Sequence, residues 1–157
     1  MKIYIASSWK NQHAVEMLTK LLEERKNTVI SFVREAVNTE PRGGLQFDLD
    51  EWIASKDGER KYFFDLEAAT KSDLVIYIGP SGIDAWAEIG AAWASGIQIY
   101  GLWAKGEQAG LMRRMVKWFN NYEDLLTALA AKEKHDKDLP KFKDIIGLYG
   151  DDEAKKA

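Results

Sequence analysis

The chain has 157 residues, with 46% apolar and 30% charged side chains, a formal net charge of −3 and no cysteine. This length and mixture suit one soluble domain with a core of its own. The weak negative charge gives no footprint for nucleic acid or an anionic membrane, and the missing cysteines exclude disulfides and thiolate metal sites.

Lys2 to Ala6 reads as a short buried strand opening the sheet, followed by a polar loop, Ser7 to Asn11. From Gln12 to Arg25, Ala14, Val15, Leu18, Leu21 and Leu22 recur at helical spacing, and Lys26-Asn27 makes the closing turn. Thr28 to Val33 is β-branched and predicts a second strand. Residues 34–59 are irregular: Pro41-Arg42-Gly43-Gly44 marks a loop, Phe47 to Ala54 suits a short helix around Trp52, and Ser55 to Gly58 suits a turn.

Tyr62 to Lys71 again has helical spacing, and Leu74 to Ile78 is the continuous apolar run of a strand covered on both faces. A Gly/Pro/Ser loop leads into a helix from Asp84 to Ser95, which stops at Gly96. Ile97 to Trp103 predicts a fourth strand, Gly106 to Gly110 a loop, and Leu111 to Phe119 and Tyr122 to Lys134 two further helices. The alternation predicts a single α/β domain over 1–134, a flavodoxin-like or Rossmann-like parallel sheet between helices. Residues 135–157 are expected to form a charged extension with a frayed end.

Chemistry concentrates where the third strand meets its helix, since open parallel sheets bind ligands beyond the carboxyl ends of their strands. Glu88 is the odd residue of a helix that is otherwise Ala, Ile, Gly and Trp. Placed in the first turn, it would be favoured by the helix dipole, and burial of Ile89, Ala92 and Trp93 would leave it facing the cleft. Asp84, with Ser81, suits an N-cap. Asp65 sits on the preceding helix at a height that can also face the cleft, while Asp73, at the start of a strand, suits a structural role. Ser7, Ser8 and Trp9 follow the first strand at the same edge, and Trp86 and Trp52 are candidates for stacking on a base. Neither a dinucleotide fingerprint nor a P-loop is present. The only two histidines, His13 and His135, argue against a histidine triad or a multi-histidine metal site.

Asp65 to Ile76, then Pro80-Ser81-Gly82 and Ala87-Glu88-Ile89-Gly90-Ala91-Ala92, resemble the nucleoside 2-deoxyribosyltransferase family, especially its branch that hydrolyses deoxynucleoside 5′-monophosphates. Ile3 to Ser8 resembles that family's first strand and loop, so the likeness spans residues 2–103. It implies Glu88 as nucleophile and Asp65 as the acid that meets the nucleobase. It also implies Tyr4 and Ser7 near the sugar and phosphate, and Ser81 and Gly82 in the loop over the sugar. No metal or cofactor is required for such chemistry, and assembly as a homo-oligomer is expected. A looser similarity to TIR-like domains that cleave NAD implies the same kind of bond.

The expected activity is therefore cleavage of an N-glycosidic bond, by hydrolysis or base exchange, with no nucleic-acid or membrane partner. Asp84 and Trp86 complete the expected substrate contacts. The alternatives are a TIR-like NAD glycohydrolase and a nonenzymatic nucleotide-binding module. Without a signal peptide or a long apolar run, the cytoplasm is the expected compartment.

Overall fold

The computed structural model describes residues 1–35, 48–108 and 110–138. Among these residues five parallel strands, β1 (Lys2–Ala6), β2 (Thr28–Ser31), β3 (Leu74–Ile78), β4 (Ile99–Leu102) and β5 (Lys117–Phe119), form one sheet in the order β2-β1-β3-β4-β5. This is the flavodoxin-like order. The helices are α1 (Gln12–Glu24), α2 (Leu49–Ile53), α3 (Lys56–Thr70), α4 (Ile83–Ala94) and α5 (Tyr122–Asp138), with 3-10 turns at Trp9–Asn11 and Leu111–Met115. Met1–Leu125 make up one compact unit; a second begins at Leu126, within α5.

Strand order and handedness together decide which face each helix covers. The step from β1 to β2 runs one way along the sheet, and the steps from β2 to β3 and β3 to β4 run the other way. Right-handed crossovers therefore put α1 on one face and α3 and α4 on the opposite one. Alternation along the strands turns Tyr4, Ala6, Val75, Tyr77 and Ile99 toward α3 and α4, where they form a core with Ala68, Ala69, Ala85, Ile89 and Ala92. Ala85, Ile89 and Ala92 are one stripe of α4, and Ile89 is fully buried. Its truncation to Ala is expected to cost about 2–5 kcal/mol.

Several boundaries differ from the sequence reading. Ser55 to Gly58 is no turn: Ser55 caps α3 by accepting a hydrogen bond from Gly58 N–H at 3.1 Å, so the helix starts at Lys56. The segment Leu111 to Phe119 is a 3-10 turn followed by β5, a strand that helical spacing concealed because three residues carry too little pattern. The second strand ends at Ser31, with Phe32 and Val33 in a turn, and the fourth spans only Ile99–Leu102. The last helix runs on to Asp138.

Trp93 is not buried with Ile89 and Ala92 but 58% exposed. Asp73 has the structural role expected of it: its Oδ2 accepts from Lys2 N–H at 2.7 Å and ties β1 to the start of β3. The loop expected at Pro41 to Gly44 and the end of the C-terminal extension lie outside the described residues. Among the described residues, no helix is long and apolar enough to cross a membrane.

Candidate active site

Three elements meet at the carboxyl edge of β1. Tyr4 points from β1 toward α3 and α4, Asp65 comes from α3 and Glu88 from α4. The Tyr4 hydroxyl lies 2.9 Å from Glu88 Oε2 and 3.3 Å from Asp65 Oδ1, so one O–H stands between two carboxyl groups. One turn before Asp65 on α3, Lys61 presents its ammonium to Asp65 Oδ2. The side chains of that pair are 18% and 17% exposed.

Burial dominates the electrostatics. Glu88 is pushed up to about 8, first by loss of water and then by the charge of Asp65; Asp84 adds to this, and the Tyr4 hydrogen bond and Lys61 oppose it. Tyr4 is held well above the usual phenol range by burial and by the two acids beside it. The sequence reading put Glu88 in the first turn of its helix, within reach of the dipole. In fact α4 starts at Ile83, its N-cap is Gly82 without a side-chain cap, and Asp84 is the acid of the first turn. Neither Asp84 nor Ser81 is the N-cap, and Glu88 lies a turn deeper, where water is scarce and its proton is held more tightly.

Around this centre two loops are sewn together. Ser7 Oγ donates to Ile78 O at 2.7 Å, and Asn11 Nδ2 lies 3.1 Å from Ser7 Oγ, 3.1 Å from Ile78 O and 3.0 Å from Pro80 O. Ser7 is thus committed to holding the loop after β1 against the loop after β3. Ser8 Oγ and Ser81 Oγ, one in each loop, are buried and meet no hydrogen-bond partner among the described residues. Buried hydroxyls of this kind are uncommon unless a ligand or water meets them. Gly82 is exposed, with open space where a Cβ would stand.

Trp86 belongs to an aromatic group at the next strands. Its ring lies 5.1 Å from Tyr77 and 6.5 Å from Trp118. Trp118 reaches over β4 because residue 101 is glycine: a Cβ there would come within 2.9 Å of the indole. The Tyr77 hydroxyl donates to Glu107 Oε2 at 2.9 Å and accepts from Ser81 N–H at 3.1 Å. Glu107 lies against Gly79, where a Cβ would meet its carboxylate at 1.9 Å.

Of the residues singled out in the sequence, Tyr4, Asp65 and Glu88 converge. Ser7, Ser81, Gly82, Asp84 and Trp86 lie at the same carboxyl edge of the sheet, in the loops after β1 and β3 and the start of α4. Sequence reasoning missed Lys61, Asn11 and Glu107. For Lys61 a signal existed in the four-residue spacing to Asp65; for Asn11 and Glu107 none did, since both act across loops. His13 is exposed beside Glu16, and Trp9 packs its ring on Phe32 at 4.6 Å. Among the described residues, no three His, Cys, Asp or Glu side chains are grouped to hold a metal ion.

No protein-family model matches the chain. No curated protein sequence matches it either. Solved structures do. A CMP N-glycosidase of Clostridium botulinum is 21% identical with a TM-score of 0.54, over 83% of this chain and 99% of its own. A 2-deoxyribosyltransferase of Bacillus psychrosaccharolyticus is 21% identical with a TM-score of 0.61, over 80% and 90%. A conserved protein of Enterococcus faecalis V583 is 16% identical with a TM-score of 0.58, over 84% and 98%. The fold of this chain is that of a nucleoside 2-deoxyribosyltransferase, as the resemblance in its residues led us to expect.

Proposed function

We propose that the chain cleaves the N-glycosidic bond of a nucleoside or nucleotide, with Glu88 as nucleophile and Asp65 as general acid. The observation that carries this reading is the pair of carboxyl groups joined through the Tyr4 hydroxyl at the carboxyl edge of the sheet. The fold shared with an N-glycosidase and a deoxyribosyltransferase supports it.

Loss of a nucleobase leaves positive charge on the sugar ring, as in glycoside hydrolysis. The Glu88 carboxylate attacks C1′ while the C1′–N bond breaks and its electron pair leaves with the base. Asp65 gives its proton to that base. Water, or a second base, then attacks C1′ of the glycosyl ester and frees Glu88, and Asp65 takes back the proton the newcomer sheds. Tyr4 steadies whichever carboxylate is charged. Ser81 and Gly82 hold the sugar, Ser7 keeps their loop in place, and Trp86 forms a wall of the cleft. To Asp84, exposed in the first turn of α4, we assign a hydrogen bond from a sugar hydroxyl.

We further assign self-association to the outer side of α4, where Ile83, Ala87, Trp93 and Ala94 are exposed on a helix whose only charges are Asp84 and Glu88. Light scattering on the purified chain checks this, and a monomer at micromolar concentration would refute it.

The main test is product analysis by chromatography on a panel of nucleosides, 5′-monophosphates and NAD. Release of free base by the wild type and its loss in Glu88→Ala is the expected result. Turnover that survives Glu88→Ala, or no turnover of any member of the panel, overturns the reading.

A further inference from the structure

Tyr4 has one O–H proton and two acidic neighbours. It can donate to only one carboxylate at a time, so two charged carboxylates facing each other across it would repel with a single donor between them. One further proton on either acid relieves this, and the three groups then form a chain that shares it. Lys61 breaks the symmetry of the chain, because its ammonium touches Asp65 Oδ2, the oxygen of Asp65 turned away from Tyr4.

We propose that Lys61 is a positioning residue that decides which of the two carboxyl groups joined through Tyr4 carries their shared proton, assigning it to Glu88 in the free protein. This rests on the roles given above to Glu88 and Asp65, and adds a step before bond cleavage. An ammonium favours the charged form of the carboxyl it touches, so Lys61 keeps Asp65 anionic and leaves the proton with Glu88. Glycosidic cleavage needs the reverse arrangement, a charged nucleophile and a protonated acid.

Arming the site is then a proton transfer along the chain. Glu88 passes its proton to the Tyr4 oxygen while Tyr4 passes its own to Asp65. Glu88 ends as carboxylate, Asp65 as carboxylic acid, and Tyr4 as the same neutral phenol, with no change in total charge. Lys61 must loosen its hold on Asp65 for this to run forward, and a base arriving beside Asp65 competes for that contact. The free protein thus keeps its nucleophile quenched until a substrate is present.

The groups that face Glu88 are compatible with this assignment. Tyr4 comes from β1, Asp65 and Lys61 from α3, and Asp84 from its own helix. On the other elements packed against α4, Tyr77 is bound to Glu107, Tyr100 lies on β4, and the 3-10 turn carries Arg113 and Arg114, with Arg113 stacked on Trp118 at 4.7 Å. Glu88 itself is pushed up to about 8, with burial the largest cause and the charge of Asp65 the next.

Infrared titration of the whole free chain tests the proposal without any substrate. The protonated-carboxyl band that disappears in Glu88→Gln identifies Glu88, and its loss with rising pH gives the midpoint. In Lys61→Gln the pair is expected to hold its proton to higher pH, moving the midpoint up by about one pH unit, and Lys61→Arg is expected to restore it. Where a substrate is cleaved, the alkaline limb of kcat/KM follows the same shifts. Lys61→Met, which keeps an unbranched apolar stem of similar length, replaces Lys61→Gln if the latter melts early. An unmoved midpoint in a folded Lys61 variant, or failure of Lys61→Arg to restore it, overturns the proposal. An inactive wild type with a titration that shifts as expected would instead refute only the glycosidic reading.

Discussion

Tyr4 and Tyr77 stand on adjacent strands, on the same face of the sheet, and each holds its hydroxyl 2.9 Å from a glutamate carboxyl oxygen. Around Tyr77 the polar atoms are matched. Its proton goes to Glu107, its oxygen accepts from Ser81 N–H, and Trp86 and Trp118 pack on its ring. Burial raises the Tyr77 phenol well above its ordinary value, and the hydrogen-bonded Glu107 adds to that shift. That corner fixes the loop after β3 against the loop after β4. Around Tyr4 there are two acids and one hydroxyl proton, with a lysine on the farther acid. The same side-chain pair is architecture where donors and acceptors balance, and is poised for chemistry where two carboxyl groups compete.

The largest effect is expected from breaking the competing corner at its centre. Glu88→Gln keeps the shape of the side chain and removes the nucleophile, and a loss of about 10⁴-fold or more in kcat is expected, as for other covalent catalytic groups. The same variant also reads stability. Glu88 is raised from 4.5 to about 8 in the folded protein, so the folded state binds a proton that the unfolded chain has lost between those values. Its contribution is complete below pH 4.5 and disappears as pH rises to about 8. At about 1.4 kcal/mol per pH unit, Glu88→Gln should be more stable than wild type by several kcal/mol above pH 8, and nearly equal to it at pH 4.5. Urea melts at the two pH values measure this, and equal stability at both would show that Glu88 sits in water.

Asp65→Asn comes next, with a loss of about 10²–10⁴-fold in kcat, the usual range for a general acid. The loss should shrink for substrates whose base departs readily as an anion, which a series of leaving groups would measure. Asp65 also marks how far the sequence could be read. The strand and helix around Glu88 were legible because an acid interrupts an apolar helix beside a buried strand, and the strand–helix alternation carried the sheet. Asp65 was legible through family resemblance more than through its helix, whose true start at Lys56 was hidden by Gly58 in its first turn. β5 was lost because three residues cannot display a period. Lys61 was overlooked although its four-residue spacing to Asp65 was there to read, whereas Glu107 left no signal, because its partners Tyr77 and Gly79 are brought to it only by the fold. The first-turn placement of Glu88 failed by one turn, and that turn changes its chemistry: at the helix start its charge would be stabilised, whereas at its true depth burial favours the proton.

The comparison is sharpest in the two tyrosine variants. Tyr4→Phe removes a hydrogen bond to charged partners, a loss of about 1.5–3 kcal/mol, so kcat should fall roughly ten- to a hundredfold. Its pH profile should also change shape, since two carboxyl groups without the hydroxyl between them repel directly. Tyr77→Phe removes a donor from Glu107 and an acceptor from Ser81 N–H, a cost of about 1 kcal/mol spread over two loops. A loosened loop weakens the grip on the sugar more than the chemical step, so KM should rise a few-fold while kcat and the pH profile stay near wild type. If Tyr77→Phe lowered kcat as far as Tyr4→Phe, or displaced the alkaline limb, the matched corner would belong to the reacting centre, and the distinction between the two tyrosines would fall.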